Sequence, residues 1–469
     1  MRAQSRAVSE NGSQPRIGEP QMTQQSTVAS VLRRIPHLLA GIVLLSLSIA
    51  PELGAQDGVT ALRSEIDRRA TAIEERVVAW RRDIHEHPEL SNEEVRTAAL
   101  VAEHLRSLGM EVQTGVGGHG VVGILKGALP GPVVALRADM DALPVTELVD
   151  LPFRSTVRTV YNGQETGVMH ACGHDGHVAI LMGVAEVLAG MKDRLPGTVK
   201  FLFQPAEESA PVGGAGPMIA AGVMDNPKVD AVFGLHIGTA PLGQIGYSTG
   251  ATNASEDSFR IVVHGKQTHG AAPAMGIDPI VVGSQIVLGL QTIISRQSNL
   301  SKGAAVVTVG AFHSGLRSNI IPDSAWMIGT VRTLDPDMRR DIKERIEQTA
   351  TNIARSAGAT AVVTIVEGYP VTVNNAELVN RMLPTLRRVA GTENVVEQPP
   401  KLSAEDVSRF LERAPGFYFG LGSTPPDRDP RLFGANHSPL FYMDEAALPV
   451  GVRAIANLAV DYLAGAPAK

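Results

Sequence analysis

The stretch VVALRADMD, residues 133–141, sets a four-residue apolar run against a charged cluster, Arg137-Ala138-Asp139-Met140-Asp141. The run at 133–136 is short, β-branched at its start and bounded by Gly and Pro, which predicts a strand rather than a helix. Three further runs have this character: 121–125, 198–203 and 231–235. Two of these also end on polar residues, the third strand on Gln204-Pro205-Ala206-Glu207-Glu208 and the fourth on His236. Helical periodicity over 177–191 separates the second strand from the third, and it is opened by His170-Ala171-Cys172-Gly173-His174-Asp175-Gly176-His177. Short apolar strands alternating with helices predict an α/β sheet covered on both faces. In such sheets the carboxyl ends of the strands form the ligand crevice, so polar groups far apart in sequence converge there.

Outward from this core, apolar residues at three- and four-residue steps predict helices over 59–81 and 93–108, the latter stopped by Gly109. Residues 255–368 have their own order: strand 259–263, helix 279–296, strands 305–309 and 325–331, helix 338–356 and strand 361–366. This β-α-β-β-α-β succession is that of a ferredoxin-like domain, read as an insertion. The larger α/β domain is expected to span 56–254 and to resume over 369–469, with helices at 376–389, 404–413 and 446–463.

The 469 residues carry 42 Lys plus Arg against 48 Asp plus Glu, a formal charge of −6. Such a chain, with no basic run and 4% aromatics, is a poor match for nucleic acid. Its one cysteine, Cys172, excludes internal disulfides and multi-cysteine zinc fingers. Residues 1–55 read as an export signal or N-terminal anchor, with the signal at about 22–55: Arg33-Arg34, an apolar run over 38–50, then small residues. Membrane association is expected only if that segment is retained, and the preferred location is periplasmic or secreted.

The crevice inventory is one thiol, several imidazoles and paired carboxylates, a donor set that suits zinc, manganese, cobalt or nickel better than magnesium or calcium. Taken singly, Cys172 is a small buried hydrophobe, Glu207-Glu208 a solvated helix start, His236 a core histidine, and Asp139 and Asp141 turn caps. Their co-occurrence at element ends favours a metal centre. His437, in a loop without apolar periodicity, is the simplest further ligand, whereas His85 and His87 read as helix-end capping residues. One of the two adjacent glutamates can ligate while the other takes a proton from water activated by the cation. A cysteine hydrolase built on Cys172 is the weaker reading, because it leaves the glutamates without a task.

RRDIHEHPELSNEE (81–94), ALRADMDALPV (135–145), MHACGHDGH (169–177), FQPAEE (203–208), HGAAPAMGIDP (269–279), LRSNIIPD (316–323) and AEDVSRF (404–410) occur in this order. Together they resemble the amidohydrolase branch of the aminoacylase and carboxypeptidase-G superfamily of metallopeptidases, over roughly 70–465. The resemblance implies two divalent ions held by Cys172, His174, Glu208, His236 and His437, with the Cys172 thiolate as bridge. It also implies Glu207 as general base, Asp141 as its orienting carboxylate, and an inserted lid or dimerisation domain that allows a homo-oligomer. His269 and Asn319 would steady the oxyanion, in some relatives from the neighbouring subunit, and Arg332 would clamp the substrate carboxylate. A small N-acyl amino acid is then the expected substrate, with a dipeptide or C-terminal peptide as the rival. One departure stands out: His269 is followed by Gly270-Ala271-Ala272-Pro273-Ala274, without the second histidine many relatives carry.

Overall fold

The computed structural model describes residues 58–427 and 434–465, so the expected export segment lies outside the described residues. The four apolar runs are neighbouring strands of one eight-stranded mixed sheet. In chain order its strands are β1 (Glu111–Val116), β2 (Gly120–Lys126), β3 (Leu129–Asp139), β4 (Pro196–Gln204), β5 (Ala231–Pro241), β6 (Ile245–Tyr247), β7 (Val395–Glu397) and β8 (Gly416–Thr424). They lie side by side as β1-β2-β4-β3-β5-β8-β6-β7. The middle is parallel, β4 with β3, β3 with β5 and β5 with β8, while β2 runs antiparallel to β4. Parallel central strands buried on both faces explain their near-continuous apolar runs.

Several elements differ from expectation. Strand β3 continues through Arg137 and Asp139 rather than stopping at Leu136, and His236 lies within β5 rather than past its end. Charged residues persist inside β3 because Arg137 and Asp139 are buried against each other, 2.7 Å apart. The expected helix at 404–413 shortens to Val407–Leu411, since the Glu405 and Asp406 side chains turn to Arg137.

The helix His174–Ala189 is buried along nearly its whole length, packed against Ala447–Gly465 and Glu74–Glu86. Gly176 permits this depth, because a Cβ there would stand 2.6 Å from Ile237 Cδ1 and 2.7 Å from Met443 Sδ. Residues 255–368 form a second, four-stranded antiparallel sheet ordered Ala305–Ser314, Ser324–Thr333, Asp257–His264, Thr360–Glu367. The helices Pro279–Thr292 and Pro336–Ser356 share a separate apolar core with it, including Ile286, Leu290, Ile342 and Ile346. Each helix begins on an aspartate that caps it, Asp278 and Asp335, followed by proline.

Candidate metal centre

The turn into one helix, the middle of β5, the loop after β4 and the loop bearing His437 build the centre. At the turn into the helix His174–Ala189, Gly173 takes φ +88°, a left-handed conformation that sets Cys172 and His174 to either side. His174 donates from Nδ1 to the Asp141 carbonyl at 2.8 Å, and its buried Nε2 has no hydrogen-bond partner. His236 likewise donates from Nδ1 to the Ile237 carbonyl at 2.7 Å, leaving Nε2 3.4 Å from Cys172 Sγ. A backbone carbonyl on one ring nitrogen fixes the tautomer that presents the other to a cation.

The donor atoms of Cys172, His174 and His236 all lie within 4.8 Å of one another, as do those of Cys172, Glu208 and His437. The five expected ligands therefore fall into two triads that share the thiol. His437 is delivered in a left-handed conformation, φ +74°, its N–H bonded to the Ala171 carbonyl at 2.8 Å and its Nε2 3.0 Å from Glu208 Oε1. Asn436 closes the back of the loop by donating to the Cys172 and Ile237 carbonyls at 3.0 and 3.1 Å. The negative field is strong: Cys172 first, then Glu208, push the His437 imidazole up to about 10. His236 is held well below its ordinary range, by burial first, then by His177, His174 and Lys401. An unpartnered buried imidazole nitrogen beside a thiol and a carboxylate is a donor set that fits a divalent cation.

Asp141 organises the adjacent glutamates. Its Oδ1 accepts the Glu207 N–H at 3.0 Å, and its Oδ2 accepts the Glu208 N–H at 2.9 Å and the Ser91 hydroxyl at 2.6 Å. Tyr369 donates to the Glu207 carbonyl at 2.7 Å. The Glu207 carboxyl stands well above the usual carboxylate range, raised by burial first and then by Glu405, Glu208 and Asp406.

Other polar residues around the crevice carry structure. Arg137 binds Gln204 at 2.8 Å, Asp139 at 2.7 Å, Glu405 at 2.9 Å and Asp406 at 3.1 Å. Asp139 is therefore not a turn cap; besides Arg137 it accepts from His177 Nδ1. His177 spends its second nitrogen on the Ile237 N–H at 2.8 Å, so neither is free for a cation. His85 is also not a cap: it is buried between Asp175 at 2.9 Å and Glu147 at 3.0 Å, with Arg81 beside it. The four-residue step from Arg81 to His85 was the available sign that both face one way. His87 does stay at the exposed helix end, bonded to the Asp83 carbonyl at 2.8 Å.

The centre opens into a cavity of about 470 Å³ whose walls include Tyr247, Asn253, Glu256, Arg332, Gln398 and Lys401. Arg332 reaches this wall with its Nη2 3.2 Å from Glu256. His269 and Asn319 do not line the cavity; they lie together in the inserted region, where Gly270 donates to the Asn319 carbonyl at 2.9 Å.

A model of the Peptidase family M20/M25/M40 matches residues 135–461. The chain is 46% identical over 393 residues to thermostable carboxypeptidase 1 of Saccharolobus solfataricus, covering 83% of this chain and 96% of that one. It is 38% identical over 394 residues to the N-acetylcysteine deacetylase of Bacillus subtilis, covering 84% and 98%. A solved Bacillus subtilis structure described as a dinuclear metal binding peptidase from the M20 family aligns with a TM-score of 0.69 at 36% identity, covering 84% of this chain and 99% of that one.

Proposed function

The chain belongs to peptidase family M20/M25/M40, a metal-dependent hydrolase of amide and peptide bonds, and from that premise we propose that it cleaves the amide of N-acyl amino acids. The observation that carries this reading is the Asp141 carboxylate, which holds the Glu207 and Glu208 N–H groups beside two ligand triads sharing Cys172. Cys172, His174, Glu208, His236 and His437 would hold two divalent ions, which supply Lewis acidity and lower the pKa of water.

Glu207 takes the proton from the attacking water and returns it to the departing amine. Burial first, then the neighbouring carboxylates, hold this carboxyl above the usual carboxylate range, which favours its accepting a proton. Asp141, held by Ser91, keeps the peptide between Glu207 and Glu208 from rotating, so base and ligand do not exchange places. Arg332 contributes guanidinium donors to the substrate carboxylate from the cavity wall, and His269 and Asn319 would steady the oxyanion from the inserted region of this subunit or a neighbouring one. Export through the segment at 22–55 would make the substrate an extracytoplasmic acylated amino acid.

A carboxypeptidase or dipeptidase with the same residues is the second reading, favoured by the name of the 46% identical relative. The deciding experiment measures amine release from hippurate, other N-acyl amino acids and dipeptides. The protein is first stripped with a chelator, then resupplied with zinc, manganese, cobalt or nickel. Activity that disappears, returns with metal and ranks N-acyl amino acids first upholds the proposal. Dipeptides ranking first favours the peptidase, and indifference to chelation removes the metal mechanism.

A further inference from the structure

Apart from the ligand imidazoles, the cavity walls carry two cations, Arg332 and Lys401. Their circumstances differ. Arg332 is neutralised by Glu256 at 3.2 Å, and the two are similarly half-buried. The Lys401 ammonium has neither an ion-pair nor a hydrogen-bond partner among the described residues, and it lies within electrostatic reach of His236. The carboxylates nearest the centre have other engagements: Glu405 accepts from Arg137 at 2.9 Å and from the Tyr418 hydroxyl at 2.8 Å, and Glu208 faces His437 at 3.0 Å.

The Lys401 backbone is fixed although its side chain is exposed. Its N–H donates to the Thr252 carbonyl at 2.8 Å and its own carbonyl accepts from Ala254 at 3.0 Å, a β-bridge to the neighbouring segment of the wall. Pro399-Pro400 immediately before it restricts the chain further. A free cation on a rigid support, facing a centre that breaks amides, is suited to an anionic group on the substrate. A carboxylate leaving water for a partly enclosed cavity needs charge-assisted partners rather than neutral dipoles alone.

We propose that Lys401 supplies the uncompensated positive charge that receives the free carboxylate of the substrate's amino-acid part, and so sets a preference for N-acyl amino acids over their carboxamides. Arg332, tied to Glu256, then orients that carboxylate without supplying net charge. The assignment rests on the amidohydrolase reading, and the test separates the two.

The experiment takes an N-acyl amino acid that the metal-loaded native chain cleaves and its C-terminal carboxamide. Both are measured with the native chain, Lys401→Met and Lys401→Arg. The free acid should be the better native substrate. Lys401→Met should lower kcat/KM for the acid by about tenfold or more, through KM, as loss of a charged hydrogen bond does. Its turnover of the carboxamide should stay within about twofold, and Lys401→Arg should recover most of the loss. Parallel loss on acid and carboxamide, or no loss on either, overturns the role of Lys401 while the amidohydrolase reading stands. A native chain that cleaves no N-acyl amino acid overturns that reading, and the assignment with it.

Discussion

Two buried polar regions meet at the strand ends, and they are finished differently. Around Arg137, every guanidinium nitrogen finds an acceptor: Gln204, Asp139, Glu405 and Asp406 surround it, while the Gly214 and Ala215 N–H groups and the Tyr418 hydroxyl take up remaining carboxylate capacity. Around Cys172, a buried imidazole nitrogen has no partner and a thiol, a carboxylate and two further imidazoles crowd within a few ångströms. Burial without partners is costly. A closed network holds strands together, whereas an unfinished one is shaped for something the chain does not itself contain.

The sharpest way to test that contrast is Glu207→Gln, which touches the reaction without removing a ligand. Turnover should fall by roughly 2 to 4 orders of magnitude while metal content, read by elemental analysis, stays near native. Retained turnover would take Glu207 out of the chemistry. Arg137→Met attacks the closed region instead. Removing one partner of a buried charge network should destabilise the fold by about 3–5 kcal/mol in urea unfolding, whether or not metal is present.

Metal itself should separate the two regions. At one hundred times its dissociation constant, a cation that binds only the native state adds about 2.7 kcal/mol. Cys172→Ser, which weakens both triads at once, should lose most of that increment and lower metal occupancy. Arg137→Met, provided it still folds, should keep the increment. Occupancy unchanged in Cys172→Ser would make the thiol a packing residue. The smallest effect belongs to His104, remote from both regions, where burial holds the imidazole below its ordinary value despite a 3.0 Å bond to the Met182 carbonyl. The unfolded chain binds the proton first, so this contribution is present above about pH 6.5 and is lost as the pH falls towards the folded value. The slope is at most about 1.4 kcal/mol per pH unit, and His104→Gln should flatten it in denaturant titrations across pH 5.5–7.5.

Much of this was legible beforehand because the apolar runs are short and cleanly bounded. The four strands of the second sheet and the two helices packed on it stand where their periodicity put them, and the donor atoms of the five ligand candidates lie close together in two groups. Strand β8 escaped notice because glycines at 416, 420 and 422 break up its apolar run. The strand continuation through Arg137 was hidden because local polarity does not reveal partners 268 and 269 residues away. The same holds for His85, whose neighbours Glu147 and Asp175 come from distant segments.

The lack of room beside Gly176 has a consequence for how such a chain diversifies. The helix bearing His174 cannot gain even a methyl group there without pressing on Ile237 and Met443, so the floor of the crevice is intolerant of revision. The cavity wall at 399–403 is a loop with exposed side chains, beyond Gln398, whose side chain still packs on Gly246 of β6. Substitutions accumulate where they do not disturb packing. A new substrate preference is therefore easier to write into that wall than into the packed floor beneath it.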